Sequence, residues 1–124
     1  MIKVFQIPSS EMENMYPESP FMYGKGEKLF NIDKHITKYV HVADLDVDTL
    51  DEAYEVGNIG PEAKYTRYKS MHSVSVGDIL VDENNKPFVV ASFGFDELDH
   101  DEVLVWEEQI CIEVIEYGTK IQIC

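Results

Sequence analysis

The segment from Met71 to Leu98 constrains the fold more than any other part of this chain. Two apolar runs, at positions 79–81 and 87–90, flank the turn-forming sequence Glu-Asn-Asn-Lys at 83–86. Short β-branched runs around such a turn are typical of a β-hairpin. With a two-residue turn at Asn84-Asn85, the predicted cross-strand pairs are Val81 with Phe88, Leu80 with Val89 and Ile79 with Val90.

Both faces of this hairpin are apolar, which is typical of strands that are covered on two sides. We therefore expect it at the centre of the sheet. A Ser-Phe-Gly-Phe turn follows at 92–95. Because it adjoins a hairpin at the centre of the sheet, Phe93 is predicted to be a core residue. Phe95 lies next to an acidic run and is instead a candidate partner-binding residue.

The rest of the pattern predicts a single α+β domain over residues 1–124, a mostly antiparallel β-sheet of about five to seven strands with one short helix packed on it. The helix is expected between Asp48 and Val56, because Thr49 and Glu52 have the spacing of a capping box and Gly57 suits a left-handed C-cap. Further strands are expected at 1–7, 38–44, 103–106 and 110–116. The last of these is expected to form a terminal hairpin through Gly118-Thr119, so that 103–124 are C-terminal strands, with Trp106 in the core.

Residues 9–28 are predicted to form a long loop, since prolines and glycines recur among large apolar side chains. Long loops are uncommon in compact domains unless they have a function, and methionine and aromatic side chains suit adaptable contact surfaces. The candidate partner-binding residues here are Tyr16, Phe21, Met22 and Tyr23. The alternative is a loop whose apolar side chains cover the edge of the core.

Charge narrows the possible partners, because 24 acidic residues oppose 10 basic ones and give a net charge of −14. A field of this sign repels phosphate backbones, and Arg67 is the only arginine, so direct nucleic-acid binding is not expected. Acidic residues are frequent at 44–55 and 96–102. A basic or nucleic-acid-binding protein is therefore a possible partner, and the candidate contact residues of the second segment are Asp96, Glu97, Asp99 and Asp101.

Metal and enzyme functions have weaker support in the sequence. Asp44, Asp46, Asp48 and Glu55 occupy positions of a calcium-binding loop, but Thr49 stands where that loop requires glycine, and no metal site is predicted there. His100 lies among acidic residues, which leaves a small metal-dependent enzyme as an alternative. No catalytic motif is present, and we predict neither catalysis nor a cofactor.

No apolar run is long enough to span a membrane, and the first residues lack the pattern of a signal peptide. A cytoplasmic location is therefore expected. Cys111 and Cys124 have no metal-binding spacing, and both are predicted to be free thiols.

Residues 39–98 resemble the YodL-like domain of phages and mobile elements. The resemblance rests on YVHVADLD at 39–46, TLDEAY at 49–54, HSVSVGDIL at 72–80 and PFVVASFGFDEL at 87–98. It implies a small accessory protein of phage type, located in the host cytoplasm, that binds and modulates a host protein. It supplies no catalytic residues. An acidic mimic of nucleic acid, which would occupy a DNA- or RNA-binding protein, is the main alternative.

Overall fold

The computed structural model describes residues 1–25 and 30–116, and side chains as far as residue 108. Six strands form one sheet in the order β3-β2-β1-β4-β5-β6, and all neighbours are antiparallel. The strands are β1 (Ile2–Gln6), β2 (Val40–Leu45), β3 (Tyr65–Arg67), β4 (Ile79–Val81), β5 (Pro87–Val90) and β6 (Phe95–Glu97). The predicted α+β class and antiparallel sheet are confirmed.

The prediction of one short helix is wrong. The α-helices are α1 (Ser9–Met12), α2 (Ile32–His35), α3 (Leu50–Ile59) and α4 (His100–Glu116). α1 and α2 continue into 3-10 turns at Glu13–Met15 and Ile36–Lys38, so that four helical segments of at least seven residues accompany the sheet. Further 3-10 turns lie at Pro20–Met22 and Glu62–Lys64. Short helical turns thus occupy much of the segment that was predicted to be a long loop.

α3 begins where its sequence predicts. The Thr49 hydroxyl oxygen accepts a hydrogen bond from the N–H of Glu52 at 3.2 Å and donates one to the Glu52 carboxylate at 3.0 Å. These two contacts stabilise the first turn, where unpaired N–H groups are costly. The helix ends later than predicted, at Gly60 with φ 92, whereas Gly57 is a buried residue inside it.

The predicted C-terminal strands at 103–106 and 110–116 are wrong, because α4 spans both. Asp99 and Glu102 cap its start, and Val103 and Trp106 face the core one helical turn apart. Packing of this face outweighs the β preference of the valines and isoleucines. The predicted hairpin turn at Gly118-Thr119 and the predicted free thiols of Cys111 and Cys124 lie outside what the structure describes.

The central hairpin is present, but its predicted register is off by one residue. The observed pairs are Ile79 with Val89, Leu80 with Phe88 and Val81 with Pro87. The loop contains three residues, since the N–H of Asp82 donates to the carbonyl of Lys86 and Asn85 adopts a positive φ of 61°. The Asp82 carboxylate accepts hydrogen bonds from the N–H groups of Asn84 and Lys86, which stabilises this longer loop.

Apolar clusters cover both faces of the sheet. On the α4 face, the core includes Phe5, Ile79, Val89 and the 1% exposed Trp106, with Met15 and Tyr39 from the connecting segments. On the α3 face, it includes Ile2, Val4, Leu80, Ala53 and Val74. The predictions that β4 is central and that Trp106 is a core residue are confirmed.

Candidate binding surface

The turn between β5 and β6 carries Phe93 at its tip. The N–H of Ala91 donates to the carbonyl of Gly94 at 3.1 Å, and Gly94 adopts φ 72, a conformation that glycine tolerates best. The Phe93 side chain is 94% exposed. The prediction that Phe93 belongs to the core is therefore wrong, because the tight turn extends it beyond the ends of the strands. Phe95, two residues later, is half-buried against the core of the α3 face.

Tyr23 and Asp96, both predicted contact residues, lie together on the α4 face. The Tyr23 hydroxyl donates to the Asp96 carboxylate at 3.2 Å. Burial, the negative charges of Asp96 and Glu102 and the hydrogen bond to Asp96 together raise the pKa of Tyr23 to about 12. The Tyr23 hydroxyl therefore keeps its proton and fixes its segment to β6.

Asp99 and Glu102 form a capping box at the start of α4. The N–H of Asp99 donates to Glu102 Oε1 at 2.7 Å, and the N–H of Glu102 donates to Asp99 Oδ1 at 2.8 Å. Burial raises the pKa of Glu102, the hydrogen bond from the N–H of Asp99 lowers it, and the nearby carboxyl groups of Asp33 and Asp99 raise it, which gives a pKa of about 7. Carboxylates are thus crowded enough here for one of them to hold a proton near neutral pH.

These residues lie on β6, in the turn before it, at the start of α4 after it, or in contact with Asp96, and we call them the β6 surface. It comprises Tyr23, Phe93, Phe95, Asp96, Glu97, Asp99, Asp101 and Glu102. Six of the predicted contact residues lie in it, and Phe93 and Glu102 are additions. The spacing of Asp99 and Glu102 carries a sequence signal for a helix start, whereas the exposure of Phe93 depends on the turn geometry.

The other predicted contact residues lie elsewhere. Tyr16 is exposed and follows the 3-10 turn that ends at the buried Met15. The Phe21 ring makes an edge contact with the His72 ring, with centroids 5.6 Å apart. Met22 is half-buried against the core of the α4 face. The segment around Tyr16–Tyr23 therefore does not present one shared contact surface.

The two acidic segments do not share a face. α3 carries Asp51, Glu52 and Glu55 on one side of the sheet, whereas α4 carries Asp101 and Glu102 on the other. The nucleic-acid mimic required a single stripe of carboxylates from both segments. This arrangement gives that hypothesis no support.

Metal ligands are not brought together within the described part of the chain, where no three Asp, Glu, His or Cys side chains are grouped for a metal ion. Asp99 is engaged in the helix cap and Asp96 with Tyr23. Thr49, at the sixth position of the calcium-loop pattern, is the N-cap of α3. The pattern at 44–55 is thus a strand end followed by a capped helix.

A second group of polar residues joins β1 to the segment before β4, and no sequence pattern had indicated it. Asp78 is 0% exposed, and its Oδ2 accepts hydrogen bonds from Gln6 Nε2 at 3.0 Å and from the N–H of Ser75 at 2.9 Å. Gln6 also holds the backbone of His72, donating to its carbonyl and accepting from its N–H. These contacts tie β1 to the turn that precedes β4.

Asp78 Oδ1 and His72 Nε2 are both buried and unpartnered, and they lie 3.9 Å apart. Burial raises the pKa of Asp78 to about 8, against the opposing effect of its hydrogen bonds from Ser75 and Gln6. His72 Nδ1 lies 2.7 Å from the carbonyl of Ser73, which fixes the ring. His72 also lines two open depressions of about 350 and 630 Å³, but Asp78 lines neither. The arrangement holds a neutral carboxyl group in the interior and keeps it out of contact with solvent.

Comparison with known proteins identifies no relative: no family profile, no curated protein and no solved structure matches the chain. The resemblance of residues 39–98 to the YodL-like domain therefore stays a prediction. In the described ranges, no helix is long and apolar enough to cross a membrane.

Proposed function

We propose that this chain is a non-enzymatic protein-binding module that contacts its partner through the β6 surface. The observation that carries the proposal is Phe93, a large aromatic side chain that is almost fully exposed at the tip of a tight turn. Aromatic side chains supply much of the binding energy at protein interfaces, because they bury a large area at a small cost in conformational entropy. A rigid turn lowers that cost further.

Charge supports a basic partner. The charged neighbours that affect the pKa of Tyr23 and of Glu102 are acidic and raise both values. The field at the β6 surface is therefore negative and is relieved when a cationic group approaches. Electrostatic complementarity of this kind raises association rates and excludes acidic partners.

We further propose that the partner is a host protein. This part of the proposal depends on the resemblance to phage proteins. The negative net charge of −14 is compatible with a basic or nucleic-acid-binding target. On this reading the chain modulates its target by occupying a basic surface, and it needs no cofactor.

Site-specific photo-crosslinking tests the proposal in the organism that encodes the chain. Benzoylphenylalanine is placed at position 93 and, as a matched control, at position 59, where Ile59 is 81% exposed at the end of α3. We expect a discrete protein adduct from position 93 and none from position 59, and we expect Asp96→Asn with Glu97→Gln to remove it. Absence of an adduct at 93, or equal adducts at both positions, would contradict the proposal.

A further inference from the structure

Among the residues that the structure describes, none pairs with the backbone groups on the outer edge of β6. β6 is the last strand of the described sheet. The N–H of Leu98 donates to the carbonyl of Pro87, and the N–H of Ala91 donates to that of Gly94. Since hydrogen-bonded pairs alternate in an antiparallel ladder, Phe95 and Glu97 direct their N–H and carbonyl groups away from β5.

Side chains on this edge alternate between the two faces of the sheet. Asp96 pairs with Val89 on the α4 face, whereas Phe95 packs on the α3 face and Glu97 pairs with Phe88. Carboxylates therefore flank the free edge from both faces. At the other edge, Arg67 of β3 forms a bidentate ion pair with Glu62 and lies over the Tyr65 ring, so that edge carries a cation of its own.

A second copy of the chain fits this edge poorly. Pairing of two β6 strands would bring Asp96 and Glu97 of one copy close to the same carboxylates of the other, and like charges across strands are destabilising. Lysine or arginine at those positions would instead form opposite-charge pairs.

We propose that the partner contributes an extended segment rich in lysine or arginine, which adds to β6 as a seventh strand. This proposal rests on the protein-binding function proposed above. Its backbone pairs with Phe95 and Glu97, its basic side chains reach Asp96 and Glu97, and an apolar side chain packs beside Phe93. Recognition by strand addition combines backbone hydrogen bonds, which give affinity, with side-chain contacts on alternate residues, which give specificity.

The test uses the full chain and a blocked peptide of about eight residues, in which two adjacent central lysines lie among valines. Adjacent side chains of a strand point to opposite faces, so one lysine can reach Asp96 and the other Glu97. Glu97→Ala and Glu97→Pro both remove the carboxylate, but only proline also removes the outward N–H. We expect Glu97→Ala to weaken binding by a few-fold and Glu97→Pro to weaken it by a further factor of about ten or more. A peptide with glutamate in place of lysine should not bind.

A second measurement leaves the protein unchanged, in case Glu97→Pro disturbs the fold. Two versions of the lysine–valine peptide carry N-methyl groups on alternate backbone nitrogens, one on the odd-numbered residues and one on the even-numbered residues. Strand addition requires one version to lose binding and the other to keep most of it. Equal binding of the two versions, together with equal affinities of the alanine and proline variants, would overturn strand addition. Crosslinking from position 93 could still succeed in that case, so the two proposals fail separately.

Discussion

Gly57 lies so close to Val74 that a β-carbon at position 57 would come within 2.2 Å of Val74 Cγ2. We expect Gly57→Ala to lower the free energy of unfolding by about 1 to 3 kcal/mol, because overpacking outweighs the gain in helix propensity of about 1 kcal/mol. Urea denaturation measures the change.

Val74→Ala supplies the control for this prediction. In that background the nearest atom to a β-carbon at position 57 is the Cβ of residue 74, at 3.0 Å instead of 2.2 Å, so Gly57→Ala should cost less than it does in the wild type. An equal loss of stability in both backgrounds would show that the contact with Val74 is not the cause.

Asp78 makes stability depend on pH. Its folded pKa of about 8 lies above the ordinary value of 3.8, so the folded state holds the proton more tightly than the unfolded one. The stability due to the neutral carboxyl is fully present below about pH 4 and is lost as the pH rises through about 8.

Asp78→Asn keeps a neutral group that can still accept the hydrogen bonds from Gln6 and Ser75. Between pH 6 and 9, we expect its stability to rise relative to the wild type by on the order of 1 to 3 kcal/mol, measured by urea denaturation at each pH. Asn in place of the exposed Asp51 is the matched control and should follow the wild type. Parallel curves of stability against pH for all three proteins would contradict the assignment of the pH dependence to Asp78.

Phe93 and Trp106 should differ sharply in their effect on folding. Phe93→Ser should change the free energy of unfolding by less than about 0.5 kcal/mol, since the ring is exposed. Trp106→Ala should lower it by about 3 to 5 kcal/mol, because the indole packs against Phe5 on the α4 face. Circular dichroism during denaturation compares both variants, and a large loss for Phe93→Ser would place its ring in the core after all.

Binding of the lysine–valine peptide should strengthen as the pH rises from about 6 to 8. Glu102 has a pKa of about 7, so its carboxyl is neutral below that pH and ionised above it. Lysine stays charged over this range. A bound cation therefore favours loss of the Glu102 proton, and affinity should rise by a few-fold.

Glu102→Gln should weaken binding and flatten this pH dependence, while glutamine preserves the capping box. Glu107→Gln changes an exposed residue of the same helix and should retain the dependence. Titration calorimetry at several pH values compares them. Identical pH profiles for the two variants would remove Glu102 from the binding surface.

The sequence predicted those helices and strands that are stabilised by contacts between residues close together in the chain. Thr49 and Glu52 indicated the start of α3, and both of their hydrogen bonds form. The hairpin around Asn85 was predicted, but its register depends on the positive φ of that residue, which the Asn-Asn sequence does not specify.

The helical structure of α4 and the geometry of the β6 surface could not be predicted in this way, because both depend on contacts between residues far apart in the chain. Residues 103–106 were predicted to form a strand, and the helix is selected instead by packing of Trp106 on Phe5. The meeting of Tyr23 with Asp96 likewise joins residues far apart in the chain. Six of the eight residues of the β6 surface were predicted from the sequence, but their arrangement in space required the fold.

Because β1 lies between β2 and β4, the sheet can be completed only after β4 has been synthesised. Its residue Val4 pairs with Ala43 on one side and with Leu80 on the other, a partner from much later in the chain. Such non-local pairing slows folding, because a long loop must close before the contact forms. During synthesis, the edge of β1 that pairs with β4 therefore stays uncovered until β4 has left the ribosome. Removal of β1 would divide the sheet into a β2–β3 ribbon and a β4–β6 ribbon with no strand to join them.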